Sequence, residues 1–158
     1  MGDIIVQMDS VRAPKSVANI LSYVKDKHYN GTVFYRVEKG FVIQMGSWDA
    51  KGKGRPMHPG PVPFEGNNGL KNLRGTVALG HGEAPTSAGP DFFINLADDP
   101  GLDSGAGSVG YAVFGQVAGG MDVVDAIAQV PVGGGIGPMP AAAPVTSVTV
   151  IKVSLLPG

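Results

Sequence analysis

The sequence predicts a mainly β domain, built as a barrel or a sandwich with helical plugs. Most of the apolar residues fall in short runs separated by turn residues, and only two stretches have helical periodicity. The chain has 25 glycines and 13 prolines among 158 residues, which is typical of a loop-rich fold. Because 43% of its residues are hydrophobic, it has enough apolar side chains for a folded core. We therefore expect a single domain over residues 1–158.

The chain begins with a predicted strand and a predicted helix. The segment DIIVQMD at 3–9 has the composition of a strand. The segment 13–27 is predicted to be helical, with Pro14 in the first turn, where proline is tolerated. Apolar residues recur at i, i+3, i+4 and i+7, so the helix has one apolar face: Val17, Ile20, Leu21 and Val24.

The rest of the chain is predicted to consist mainly of strands. A strand pair at 32–37 and 40–45 surrounds the turn at Lys39-Gly40. Further strands are predicted at 75–80, 91–96 and 110–117, and a closing strand at 145–156. A short helix is predicted at 121–129, after two glycines.

The charge and the residue composition exclude several classes of function. The chain has 12 basic and 13 acidic residues and a net charge of −1, so neither nucleic acid nor an anionic membrane surface is an expected partner. No apolar run approaches the length needed to cross a membrane. The absence of cysteine excludes disulfides, thiolate metal sites and a cysteine nucleophile.

The remaining motifs give little support for a cofactor, a metal or a nucleophile. The segment GAGSVG at 105–110 matches a dinucleotide-binding pattern but precedes a strand instead of opening a helix. His28, His58 and His81 show no ligand spacing, so we expect no metal site. A Ser/His/Asp triad remains possible by composition, but no serine lies in a G-x-S-x-G turn, and a hydrolase lacks an arranged nucleophile.

The segment FYRVEKGFVIQMG at 34–46 is the most unusual part of the sequence. It places Arg36 in one apolar run and Gln44 in the next, with Glu38 in the turn between them as the only acidic residue. Such an arrangement offers hydrogen-bond donors beside an apolar, aromatic surface.

Three blocks of the sequence resemble the cyclophilin family. The segment YNGTVFYRVEKGFVIQMG at 29–46 is similar to the family's signature, in which Phe-x-Arg is followed by Gly-Phe-x-x-Gln. The segment GTVALGHGEAPTSAGPDFFINLADDPGLD at 75–103 resembles its second block, and GYAVFGQVAGGMDVVDAIA at 110–128 its third. With the APKSVANI helix, the matches keep the family's order from Asp3 to Leu155, and the chain is identified as a member.

This resemblance implies a fold and an activity. The fold is an antiparallel β-barrel with two helices capping its ends, and the activity is peptidyl-prolyl cis/trans isomerisation without a cofactor. The Xaa-Pro bond isomerises slowly because its partial double bond imposes a barrier of about 20 kcal/mol. No covalent bond is made or broken, so a donor to the prolyl nitrogen and a pocket for the ring are sufficient.

The resemblance also assigns roles to individual residues. Arg36 would be the catalytic donor, and Gln44 would bind the substrate backbone or orient Arg36. The proline pocket would be formed by Phe41, Phe93 and Leu102, with Val42 at its edge and Tyr111 at its rim. Gly80 and His81 would line the neighbouring peptide groove. We assign the remaining large apolar residues of these strands to the core: Phe34, Phe92, Ile94 and Phe114.

Four positions depart from the family's pattern. Val42 stands where a methionine is usual, and Met45 replaces a glycine that allows a close backbone approach. Asp91 replaces a glutamine of the substrate groove, and we expect its carboxylate near Arg36. Gly101 replaces a tryptophan important for cyclosporin, so cyclosporin should bind weakly.

Several alternatives stay open. The family's first strand has no counterpart before GDIIVQMD, so either the barrel lacks one strand or Met1 is an internal methionine of a longer protein. Cytoplasm and periplasm are both compatible with the sequence. We expect a monomer that acts on proline-containing peptides and unfolded proteins. The alternative is a non-catalytic module or chaperone that binds proline-containing segments.

Overall fold

A computed structural model describes residues 1–105 and 107–158, so position 106 of the GAGSVG motif lies outside the described residues. Within this part of the chain there are six strands: β1 Ile5–Met8, β2 Thr32–Glu38, β3 Val42–Asp49, β4 Thr76–Leu79, β5 Phe92–Asn95 and β6 Val113–Gly119. The two α-helices are α1, Pro14–Lys25, and α2, Met121–Ile127. Two short 3-10 helices span Pro100–Leu102 and Pro140–Ala142. The prediction of a mainly β fold with two helices is confirmed.

The six strands form one antiparallel sheet in the order β1-β6-β4-β5-β3-β2. A barrel is built from one sheet of this kind, whereas a sandwich needs two. Among the described residues, the ladder does not pair the outermost strands β1 and β2 with each other. Within the described residues, the ladder therefore leaves the sheet open between β1 and β2.

The prediction of a closing strand at 145–156 is wrong, because this segment forms no regular strand in the described chain. It runs along the outer edge of β2 instead. Phe34 N–H donates to the Val148 carbonyl at 3.1 Å, and Val150 N–H donates to the Thr32 carbonyl at 2.7 Å. The segment pairs with β2 on one side only, and a single short row of hydrogen bonds does not extend into a ladder.

The main core lies on one face of the sheet and is covered by both helices. Strand residues of this core include Phe34, Ile43, Val77, Ile94 and Phe114. Helix α1 contributes Val17 and Ile20, and α2 contributes Val124 and Ile127. The predicted core positions Phe34, Ile94 and Phe114 are buried, and Phe92 packs against them.

The start of α1 is capped from a distant part of the chain. Its N-cap residue, Ala13, has no side chain that could accept a hydrogen bond. The Glu65 carboxylate accepts hydrogen bonds from the Lys15 N–H at 3.2 Å and the Ser16 N–H at 2.6 Å, and from Ser16 Oγ at 2.7 Å. An anionic acceptor at this end also matches the helix dipole. This contact fastens the long loop before β4 to the helix.

A second apolar cluster lies on the opposite face of the sheet, because side chains alternate along each strand. We call it the outer cluster. Its buried members are Val42, Ala78, Phe93 and Val113, and its half-buried members are Phe41, Leu70, Leu102 and Tyr111.

Candidate active site

Arg36 and Gln44 face each other across the β2–β3 pair. The strand register places them directly opposite, and Arg36 Nη1 donates to Gln44 Oε1 at 3.1 Å. The guanidinium carbon lies 5.6 Å from the centre of the Phe41 ring, within range of a cation–π interaction. The arginine is therefore held between an amide on the neighbouring strand and one wall of the outer cluster.

The carboxylate that pairs with Arg36 belongs to Glu38. Glu38 Oε2 accepts from Arg36 Nε at 2.5 Å and also forms an ion pair with Nη2. The two side chains are 23% and 39% exposed, so the pair remains in contact with solvent. The predicted turn residue Glu38 is thus the last residue of β2, two positions from Arg36 and on the same face.

The outer cluster contains five residues predicted for the proline pocket. Phe93 and Val42 are buried in it, and Phe41, Leu102 and Tyr111 surround them. The Tyr111 ring meets the Phe93 ring edge to face at a centroid distance of 5.4 Å. The structure therefore gathers these residues into one apolar surface beside Arg36.

His81 lies at the border of the outer cluster. Its ring stacks on Tyr111 with centroids 4.5 Å apart. Its Nε2 lies 2.8 Å from the Gly110 carbonyl oxygen and its Nδ1 lies 2.7 Å from the Gly82 carbonyl oxygen. These contacts fix the histidine ring against the tyrosine. The surface next to the ring is then formed by the backbone around Gly80.

Gly80 lies where three strands come close together. A Cβ atom added to Gly80 would lie 3.0 Å from Gln44 Nε2 and 3.4 Å from the Asp91 Cβ. Its N–H donates to the Asp91 carbonyl at 2.9 Å. A larger residue here would push against Gln44, and through Gln44 against Arg36.

The expected placement of the Asp91 carboxylate beside Arg36 is wrong. The carboxylate instead accepts hydrogen bonds from the Ser47 N–H at 3.0 Å and from Ser47 Oγ at 2.6 Å. Burial raises the pKa of Asp91, and the hydrogen bonds from Ser47 and Tyr35 only partly offset this. Burial also raises the pKa of Tyr35, and the charge of Asp91 raises it further. Gln44 pairs with Phe93 and Met45 with Phe92, so Asp91, just before β5, lies beside a part of β3 beyond Gln44 and meets Ser47, not Arg36.

The close backbone approach expected near Met45 occurs at the next residue. Met45 is buried in the main core. Gly46 has a φ of +145°, and a Cβ atom there would lie 2.5 Å from the Asp91 Cα. The glycine that lets β3 and the start of β5 approach is therefore Gly46, and Met45 does not obstruct it.

Leu102 is positioned by a buried amide that the sequence did not reveal. Asn72 Nδ2 donates to the Leu102 carbonyl and to Asp103 Oδ1, both at 3.0 Å. The Leu102 carbonyl also accepts from the Tyr111 N–H at 2.9 Å. Asn72 thus ties two members of the outer cluster to the loop before β4. An asparagine in a loop carries no sequence signal for such a contact.

A Ser/His/Asp arrangement exists away from the outer cluster. His58 Nε2 lies 2.7 Å from Asp26 Oδ2, and its Nδ1 lies 3.1 Å from Ser22 Oγ. The hydroxyl donates to the Asn19 carbonyl at 2.6 Å, so its hydrogen is not directed at the histidine. The His58 ring stacks on Tyr23 at 3.9 Å. We interpret the group as an attachment of the loop to α1 and not as a nucleophilic site.

The described residues contain neither a candidate metal site nor a membrane-spanning helix. Residues 1–105 and 107–158 contain no group of three or more histidine or acidic side chains that could hold a metal ion. In the same residues, no helix is both long and apolar enough to span a lipid bilayer.

Comparison with known proteins matches the chain to one family. The family model described as cyclophilin type peptidyl-prolyl cis-trans isomerase matches residues 1–155. The chain is 46% identical over 129 residues to peptidyl-prolyl cis-trans isomerase A of Dickeya dadantii, which covers 82% of this chain and 67% of the relative. It is 43% identical over 135 residues to peptidyl-prolyl cis-trans isomerase B of Escherichia coli, covering 84% of this chain and 82% of the relative.

The fold is similar to that of a solved structure. A cyclophilin type peptidyl-prolyl cis-trans isomerase of Cryptosporidium parvum, crystallised in the presence of the dipeptide Ala-Pro, superposes with a TM-score of 0.81 at 22% identity. The match covers 99% of this chain and 94% of that chain. The predicted cyclophilin-like fold is confirmed.

Proposed function

Because the chain belongs to the cyclophilin-type peptidyl-prolyl cis-trans isomerases, we propose that Arg36 assists the twisting of a prolyl amide whose ring lies in the outer cluster. The family assignment makes the protein an isomerase of Xaa-Pro peptide bonds and confirms the predicted enzyme class. The observation that carries the mechanism is the position of the Arg36 guanidinium, held by Gln44 and lying against the Phe41 ring.

The proposed mechanism needs no covalent chemistry. As the amide rotates, the nitrogen lone pair is withdrawn from resonance and becomes a hydrogen-bond acceptor. A guanidinium N–H directed at this nitrogen stabilises the twisted amide more than the planar one, which lowers the barrier. The donor is always charged and cannot lose its proton, so it serves in every substrate encounter.

The outer cluster would hold the proline ring while the acyl side rotates. Phe93 forms the buried centre of the surface, and Phe41, Leu102 and Tyr111 form its half-buried border. A ring seated on this surface is fixed relative to Arg36, so the donor and the prolyl nitrogen need not find each other by diffusion. Val42 contributes to the floor beneath the ring.

The backbone around Gly80 would bind the peptide before the proline. Gly80 has no side chain, and His81 is fixed by its contacts with Tyr111 and two carbonyl oxygens. This leaves a strip of backbone beside Gln44. The Oε1 of Gln44 accepts a hydrogen bond from Arg36, and its Nε2 takes no part in that bond. Asp91 would shape the strip through its bonds to Ser47, without touching the reacting amide.

The substrates we propose are exposed Xaa-Pro bonds in unfolded or flexible segments, so the protein would assist protein folding. Such segments can reach the half-buried border of the outer cluster, whereas a proline inside a packed domain cannot. Because uncatalysed isomerisation takes tens to hundreds of seconds, catalysis at this step accelerates folding wherever it is rate-limiting.

A second candidate is a module that binds proline-containing segments with little turnover. The ion pair between Glu38 and Arg36 favours it, because this pair occupies donors of the guanidinium. A protease-coupled isomerisation assay on a short proline peptide separates the two candidates. Turnover well above the uncatalysed rate supports the enzyme mechanism, and binding without turnover supports the module.

A further inference from the structure

We propose that Glu38 is a positioning residue that fixes the orientation of the Arg36 guanidinium for catalysis. This inference rests on the catalytic role proposed for Arg36. The two residues lie two positions apart on β2, so their side chains emerge on the same face of the strand. One oxygen, Glu38 Oε2, receives both Nε and Nη2 of the arginine.

The hydrogen-bond donors of the guanidinium can be accounted for individually. A guanidinium has five N–H groups in a rigid planar fork. Glu38 Oε2 accepts the N–H of Nε and is ion-paired with Nη2, where we count one N–H as used, and Gln44 Oε1 accepts one N–H of Nη1. One N–H on each of the two terminal nitrogens remains for a substrate.

Contacts on both sides of the fork determine where those two remaining donors point. Gln44 alone would leave the guanidinium able to swing about its single hydrogen bond. The carboxylate of Glu38, which contacts Nε and Nη2, and the Phe41 ring, whose centre lies 5.6 Å from the guanidinium carbon, restrict that freedom. The two remaining N–H groups, one on each terminal nitrogen, are then held in one orientation before the substrate arrives.

The strength of the ion pair suits positioning better than inhibition. Glu38 is 39% exposed, and ion pairs between partly exposed side chains are weak. Such a pair biases the orientation of a flexible side chain by a few-fold. It does not withhold the arginine from a substrate, because Glu38 does not use the two remaining donors.

The variants Glu38→Ala and Glu38→Gln test the proposal, with Asp122→Asn as the matched control. Asp122→Asn removes the same charge from an exposed position on α2, outside the outer cluster. We expect Glu38→Ala to lower kcat about three- to tenfold with KM changed less than twofold, because positioning acts on the twisted state. Glu38→Gln keeps an acceptor oxygen and should recover at least half of the lost kcat. The control should match the parent.

A second measurement reports the orientation of Arg36 directly. In the parent and the control, the Nε–H resonance of Arg36 should be resolved in the NMR spectrum and exchange slowly with water. In Glu38→Ala it should exchange at least tenfold faster, while circular dichroism shows an unchanged fold. A structural role elsewhere in the sheet would not alter this resonance selectively.

Parallel assays of Arg36→Ala separate failure of this inference from failure of the proposed mechanism. If Arg36→Ala retains turnover, the catalytic role of Arg36 fails, and the role of Glu38 fails with it. If Arg36→Ala is inactive while Glu38→Ala turns over as fast as the parent or faster, only the positioning role is overturned. Absence of recovery in Glu38→Gln would also overturn it, because the loss would then not come from holding the arginine.

Discussion

The guanidinium carbon of Arg36 lies 5.6 Å from the centre of the Phe41 ring, within range of a cation–π interaction, so the proposed donor adjoins the proposed proline-binding surface. Both residues belong to the β2–β3 hairpin, with Arg36 in β2 and Phe41 in the turn before β3. The distance between the donor and the pocket wall is thus set within a short, locally paired segment. Its geometry does not depend on the relative position of distant loops.

Replacing Arg36 by alanine should lower kcat/KM by well over tenfold with little change in stability. The side chain is 23% exposed and lies beside Phe41 of the outer cluster, so its loss should leave the packing of the main core intact. Its proposed hydrogen bond forms with the twisted amide, so the loss should appear mainly in kcat. A protease-coupled assay measures the rate.

Two further variants at arginine positions control this experiment. Arg74→Ala removes an exposed arginine that pairs with Asp125 at 2.8 Å, and we expect it to retain full activity. Arg36→Lys keeps the charge but loses the planar fork, so it should remain well below the parent. Turnover close to that of the parent in Arg36→Ala would refute the proposed mechanism.

Replacing Phe93 by alanine should weaken binding of proline peptides. Phe93 is 5% exposed and packs with Val42, Ala78 and Val113, so the variant also opens a cavity that costs about 3–5 kcal/mol of stability. NMR titration with a short Ala-Pro peptide measures the affinity, and urea denaturation measures the stability.

A core variant separates binding from stability in this case. Phe114 lies in the main core, on the other face of the sheet. The variant Phe114→Leu should therefore lower the stability without changing the affinity for the peptide. Phe93→Leu retains most of the volume and keeps the test available if the alanine variant is too unstable. Unchanged affinity in both Phe93 variants would remove this residue from the binding surface.

Cyclosporin should bind the protein weakly, and Gly101→Trp should strengthen the binding at least tenfold. Gly101 is exposed in the short 3-10 helix next to Leu102. Among the residues that the structure describes, a Cβ atom there would have only Asp99 Oδ1 within 4 Å, at 3.1 Å, so a larger side chain fits after a small shift. An indole would add apolar contact area at the border of the outer cluster. Calorimetry measures both constants, and nanomolar affinity in the parent would contradict the prediction.

The local parts of the fold and the site were readable from the sequence. Alternating apolar residues and the Lys39-Gly40 turn predicted the β2–β3 hairpin, which brings Arg36 opposite Gln44. The side-chain period of a strand also places residues 36 and 38 on one face, so the contact between Glu38 and Arg36 could have been found.

Features that depend on distant neighbours could not be read in this way. The position of Asp91 follows from the register between β3 and β5, and no local pattern determines that register. The segment 145–156 has a strand-like sequence, but a regular strand also needs a sufficient row of partners along its edge. Glu65 and Asn72 act through contacts with residues about 50 and 30 positions away, respectively.

The half-buried Asp91 carboxylate should make stability depend on pH in a direction opposite to that of an ordinary salt-bridged acid. Burial raises its pKa in the folded protein above the value of about 3.9 in the unfolded chain, despite the hydrogen bonds from Ser47. Between these two values the folded state binds more protons than the unfolded state. The resulting stabilisation is complete below about pH 4 and is lost as the pH rises through the folded-state pKa.

Asp91→Asn removes this titration while keeping a side chain of the same shape, so the comparison with the parent isolates it. The free energy of unfolding of Asp91→Asn, minus that of the parent, should increase as the pH is raised from 4 to 7. His28 titrates in both proteins and cancels in the difference; burial lowers its pKa, so its own contribution is lost as the pH falls below about 6.5. Urea denaturation at several pH values gives the difference. A difference that stays constant or decreases would mean that the Ser47 hydrogen bonds outweigh burial, and Asp91 would then stabilise the fold as a charged acceptor.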